Sequence, residues 1–139
     1  MNEAWFAKIE SRLFTIIKKR MKNSVKFRDV FFTTENENVM PSNFPALYFH
    51  ELEQFEQGRD LDNVDVNAVL STIQIQVFSK TAAENKEIMT AAVLQMKRLR
   101  YNVIAMPIYT WTKDKTVRLS SARFQRMIGG GDLDIVLQD

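Results

Sequence analysis

The stretch Val69–Ser79 constrains this chain most. Ile73, Ile75 and Val77 alternate with Thr72, Gln74, Gln76 and Phe78, so one face is apolar and the other is mostly amide and hydroxyl. A period of two is the period of a strand. A strand with a single apolar face belongs in an antiparallel sheet covered on one side. Something amphipathic must therefore supply the cover, and two segments qualify.

The first spans residues 2–22. Trp5, Ile9, Leu13, Ile16, Ile17 and Met21 recur at three- and four-residue spacing, which places them on one helical stripe. Lys8, Arg12, Lys18, Lys19 and Lys22 lie beside or opposite it, and the basic last turn suits the negative end of a helix dipole. The second opens at Thr81-Ala82-Ala83-Glu84, a capping box in which hydroxyl and carboxylate each satisfy a free backbone N–H. Its stripe is Ile88, Ala91, Ala92, Met96 and Leu99, and it closes on Lys97, Arg98 and Arg100.

Four further strands complete the pattern. Val25–Phe32 is short and Phe-rich. Pro45–Gln54 places Tyr48, His50 and Leu52 on one face and Leu47, Phe49 and Glu51 on the other. Val103–Thr112 contains Pro107, which calls for a sheet edge or a bulge because proline donates no ladder bond. Thr116–Ile128 follows a turn at Lys113-Asp114-Lys115. Thr33–Asn43 reads as a polar surface loop, and residues 55–68 as an exposed, mobile one. Gly129-Gly130-Gly131 forms a hinge to a tail, 129–139, apolar enough at Leu133–Leu137 to dock as a strand. The expected fold is α+β in a single domain over 1–139: a mostly antiparallel sheet of four to five strands with two helices packed on one face.

Several kinds of chemistry are unsupported. The 139 residues include no cysteine and one histidine, so thiolate catalysis and Cys- or His-rich metal sites are excluded. The absence of cysteine also fits a reducing compartment. The N-terminus lacks the order of a secretory signal, and no apolar run approaches the roughly 20 residues that span a bilayer. His50 and Glu51 are neighbours in a strand and point to opposite faces, so no local carboxylate orients the imidazole as a general base. Asp60, Asp62 and Asp65 have ligand chemistry for calcium but lack the glycine and closing glutamate of a calcium loop. The triple glycine has no Lys-Ser/Thr beyond it and makes no phosphate loop. Arg118, Arg123, Arg126, Lys113 and Lys115, with Tyr109, Trp111 and Phe124, suggest a nucleic-acid-binding sheet. The preferred reading puts Tyr109 and Trp111 in the core and the arginines in rim ion pairs. No enzyme and no cofactor is expected.

Charge is unevenly distributed. Residues 1–28 carry 8 basic and 2 acidic side chains, residues 29–66 carry 1 and 9, and residues 67–139 carry 10 and 6, giving the net +2. Such blocks can make one copy's surface complementary to another's. The contact candidates are Lys8, Arg12, Lys18 and Lys19 on the first helix; Glu56, Arg59, Asp60, Asp62 and Asp65 in the acidic loop; and Arg118, Arg123 and Arg126 on the last strand.

Phe44-Pro45-Ala46-Leu47-Tyr48-Phe49, Gly58-Arg59-Asp60-Leu61, the Ile/Gln strand Ser71–Ser79, the helix closing on Met96–Tyr101, and Ala122-Arg123-Phe124 together resemble the tail-terminator or tail-completion proteins of long-tailed bacteriophages. The resemblance covers roughly residues 5–130. It implies a mixed α/β fold, no catalytic residues, and a homo-oligomeric ring, a hexamer in that family. The ring would cap the tail tube and offer the surface joined to the head. The implied partners are other copies of the chain, the tail tube protein and head-side connector proteins, with no membrane, and nucleic acid only as DNA passing through a ring lumen. The implied location is the virion tail or neck, after assembly in the host bacterial cytoplasm. The alternatives are a head-side neck or tail-assembly protein of the same particle and, from another class, a nucleic-acid-binding sheet domain.

Overall fold

The computed structural model describes residues 5–39, 41–57, 68–111 and 116–129. Within them the fold is α+β, with two α-helices and a five-stranded, mostly antiparallel sheet. The helices are α1, Ile9–Lys22, and α2, Ala82–Arg98. The strands are β1, Phe31–Thr33; β2, Ala46–Gln57; β3, Ala68–Ser79; β4, Asn102–Trp111; and β5, Arg118–Gly129. Their order across the sheet is β1-β2-β3-β5-β4. Only the β1–β2 pair is parallel.

The Ile/Gln strand lies at the centre, paired along its whole length to β2 on one side and β5 on the other. Its Val69, Ile73, Ile75 and Val77 are buried. Above them α1 contributes Ile9, Leu13, Ile17 and Met21, and α2 contributes Ile88, Met89, Ala92 and Met96, in one contiguous core. The helical and strand stripes meet because each leaves the other's apolar surface no better cover.

Several expected boundaries move. The first helix begins as a 3-10 turn, Trp5–Lys8, before α1 proper. Val25–Phe27 is a 3-10 turn, not strand. Ser24 Oγ accepts from the Lys26 N–H at 3.4 Å, a local side-chain bond that competes with the ladder. Only Phe31–Thr33 pairs with the sheet. Residues 33–43 include two short 3-10 turns. The strands flanking the acidic loop are longer than expected, since 55–57 belong to β2 and Ala68 to β3. Residues 58–67, with Arg59, Asp60, Asp62 and Asp65, lie outside the described residues, as do residues 112–115, where a turn is expected, and 130–139.

Thr81 caps α2 as expected, its Oγ1 accepting from the Glu84 N–H at 3.2 Å. The other end of α2 closes without glycine. Arg100 takes a left-handed φ of 67°. Its N–H donates to the Lys97 carbonyl at 2.9 Å, and the Tyr101 N–H donates to that of Met96 at 3.0 Å. This is the Schellman pattern, and Met96 and Tyr101, the two residues it joins, are both buried in the core.

Candidate assembly surface

The two edges of the sheet differ. β1 is three residues long, and its Phe32 and Thr33 are buried. β4 is ten residues long and contains no charged side chain: Asn-Val-Ile-Ala-Met-Pro-Ile-Tyr-Thr-Trp. Pro107 does sit on an edge, and the pairing with β5 is irregular on both sides of Ala105. Both outcomes follow from the missing proline donor and the edge position.

Ile104, Met106, Ile108, Tyr109 and Trp111 are 50%, 68%, 63%, 42% and 50% exposed. Half of the large apolar side chains that are exposed among the described residues therefore lie on this one strand. Native edges are normally blunted by charge. Among the described residues this one is blunted only by Pro107 and the two irregularities in its pairing. The expectation that Tyr109 and Trp111 are core is thus overturned. The register sets Tyr109 opposite Ser120 and Trp111 opposite Arg118, on the helix-bearing side but beyond the cover the helices give. Cations reach them there. Lys86 Nζ of α2 lies 5.7 Å from the Tyr109 ring centre, and the Arg118 guanidinium stacks 3.1 Å above that of Trp111. Such stacking is attractive where solvent is partly excluded.

The charged candidates do not form one surface. Lys8, Arg12, Lys18 and Lys19 are exposed on or beside α1, and Glu56 is exposed near the end of β2. Arg123 is exposed on the open face of the sheet, opposite Gln74 of β3. Arg118 and Arg126 face the helix layer, where Arg126 Nη1 donates to the Leu99 carbonyl at 3.0 Å. The open face carries an amide and hydroxyl ladder: Gln74 Nε2 donates to Ser121 Oγ, and Gln125 Nε2 to Thr72 Oγ1, each at 3.2 Å.

A second polar cluster lies under the start of α1, and a bulge in β2 creates it. Glu51 pairs with Ile73 and Glu53 with Thr72, so Leu52 is the extra residue. An extra residue reverses which face each later side chain takes. Glu51 and Gln54 consequently both turn toward the helices. Gln54 Nε2 donates to Glu51 Oε1 at 2.8 Å and to the Phe6 carbonyl at 2.9 Å. Tyr101 OH donates to Ser71 Oγ at 3.0 Å, and Ser71 Oγ donates to Glu51 Oε2 at 2.9 Å. The Glu51 N–H in turn donates to Glu10 Oε2 at 2.7 Å, which also lies 3.6 Å from His50 Nδ1. The carboxylate near His50 thus comes from 40 positions upstream, beyond what local spacing reveals. His50 also stacks on Tyr48, with ring centres 5.8 Å apart.

Burial pushes the Glu51 carboxyl up from 4.5, and Glu10 adds to this, while the bonds from Gln54 and Ser71 and the neighbouring His50 oppose it. Burial also pushes the Tyr101 hydroxyl up, against the Ser71 bond and the Arg126 charge. A carboxyl whose folded pKa is raised binds its proton more tightly in the native state. Its stabilising contribution is full below 4.5 and is lost as pH rises through the folded value. Glu51→Gln keeps an acceptor and cannot ionise. Urea midpoints measured from about pH 4 to 8 should therefore diverge, the wild type falling relative to the variant as pH rises. Parallel curves would show that Glu51 titrates alike folded and unfolded.

Among the described residues no group of three or more His, Asp or Glu side chains is placed to hold a metal ion, and no helix is long and apolar enough to cross a membrane. Compared with known proteins, the chain matches no family model and no curated protein.

Proposed function

We propose that this chain is a non-enzymatic structural component that assembles into a ring, of the kind that terminates or completes the tail tube of a long-tailed bacteriophage and presents the surface joined to the head. The observation that carries the assembly reading is the uncharged β4 edge with its five exposed apolar side chains. A row of that kind on an open strand marks a surface made to be covered. The identity of the ring rests on the resemblance in residues 5–130.

The nucleic-acid reading receives less support. A sheet that binds nucleic acid needs cations as well as stacking rings. Among the described residues the open face offers Arg123 against Glu53, with His50 across Gln74 from Arg123. That balance gives little electrostatic attraction for phosphates.

The test is the mass of the purified chain in solution. A monomer is 16.2 kDa, and a hexameric ring is six times that, about 97 kDa. Rings visible by electron microscopy that bind the ends of purified tail tubes would support the proposal. A strictly monomeric protein with no affinity for tubes would sink it. Deletion from the phage separates the two particle roles. Loss of a terminator gives overlong tails, whereas loss of a head-side neck protein leaves tails of normal length unjoined to heads.

A further inference from the structure

In an assembly of copies of this chain, the β4 edge needs an occupant. The opposite edge of another copy is a poor match: β1 offers three residues against ten, and two of its side chains, Phe32 and Thr33, are already buried. Two β4 edges could pair about a two-fold axis, but such a contact closes on itself and cannot propagate around a ring. A third occupant lies in the sequence. Leu133-Asp134-Ile135-Val136-Leu137 alternates so that Leu133, Ile135 and Leu137 share one side, and the segment 130–139 carries three aspartates and no basic residue.

The chemistry of the edge complements this segment. β4 is uncharged along its length and mostly apolar, while the cations Arg100, Lys86 and Arg118 stand at its start and over its last aromatic residues. A peptide with an apolar face and interspersed acids fits an edge of that composition. Its main chain would pair with the free side of β4, and its aspartates would meet the cations.

The register of β5 directs the segment to another copy. β5 runs on for four residues, Arg126–Gly129, beyond its pairing with Asn102, the first residue of β4. A tail folding straight back along β5 would meet Asn102 after about that length, before Val136 and Leu137 could pair. To reach the outer side of its own β4 it would have to cross that strand's entry at Arg100 and Tyr101. A neighbouring copy's edge carries neither obstacle. Resting on the ring reading, we infer that residues 133–137 of one copy add as a strand to the β4 edge of the next, a head-to-tail contact that can close a ring.

Three proteins test this: the full chain, a chain ending at Gly129, and the full chain carrying Leu133→Ser, Ile135→Ser and Leu137→Ser. Trp5→Phe in each leaves Trp111 as the only indole. The full chain should be oligomeric and the other two monomeric. A synthetic peptide of residues 130–139 should bind the shortened chain and change Trp111 emission. The triple-serine peptide should bind more than about a hundredfold more weakly. If the shortened chain and the serine variant keep the oligomeric mass, the tail contact is wrong and the ring reading stands. If the full chain is itself monomeric, both fall. Monomeric shortened protein that ignores the peptide, or binds both peptides alike, overturns the β4 docking while leaving assembly intact.

Discussion

Met106→Lys together with Ile108→Lys should reduce the assembled protein to a species of 16.2 kDa while leaving the fold in place. These are the two most exposed side chains of the β4 row, so in the isolated subunit they contribute little to folding. Surface changes of that kind shift stability by about 0.5 kcal/mol or less. In an assembled ring the same two side chains would be buried at every contact. Burying an apolar side chain of this size is worth about 1.5–3 kcal/mol, so losing two weakens each contact on the order of 10²- to 10⁴-fold. The added ammonium groups would also have to be desolvated. Light scattering and circular dichroism read the two halves of the prediction separately. An intact oligomer carrying both lysines would remove β4 from the interface.

Phe124→Ala should be the most damaging single change in the folded subunit. Phe124 is fully buried on β5, opposite Ile73 of β3 and Val103 of β4, in the core that both helices cover. Removing a buried phenyl ring costs about 3–5 kcal/mol because transfer energy and an unfilled cavity add. Domains of this size hold only about 5–15 kcal/mol in reserve, so the variant should unfold at a much lower denaturant concentration, with reduced soluble yield. A loss below about 1 kcal/mol would mean that the helices settle onto the sheet and refill the space.

The parts of this fold that could be read from the sequence are those where one period dominates. The alternation at Ile73, Ile75 and Val77, the stripes of the two helices and the Thr81 cap all depend on neighbours within a few positions. The parts that escaped depend on partners far along the chain. Nothing local marks Leu52 as a bulge, and the bulge is what brings Gln54 onto the same side as Glu51. Nothing in Arg100 announces a left-handed cap, and the buried Met96 and Tyr101 that its backbone bonds bring together belong to the tertiary core. Tyr109 and Trp111 look like core by composition. Their exposure follows from how far the helical layer extends along β5, a tertiary quantity. Block charge points to the charged contact candidates, whereas the surface that stands out is the one without charge.

The strand order has a consequence for synthesis. β3, α2 and β4 form a crossover whose two strands run parallel with a gap between them, and β5, made after both, fills that gap. Until residues 118–129 have emerged, a nascent chain presents the flank of Val69–Ser79 and the whole of β4 as bare hydrogen-bonding edges rich in apolar side chains. Unpaired edges of that composition invite pairing between chains. Ribosomal pausing between β4 and β5 would therefore be the most hazardous interval for aggregation in the production of this protein. Chaperone demand should fall sharply once Phe124 is available to enter the core.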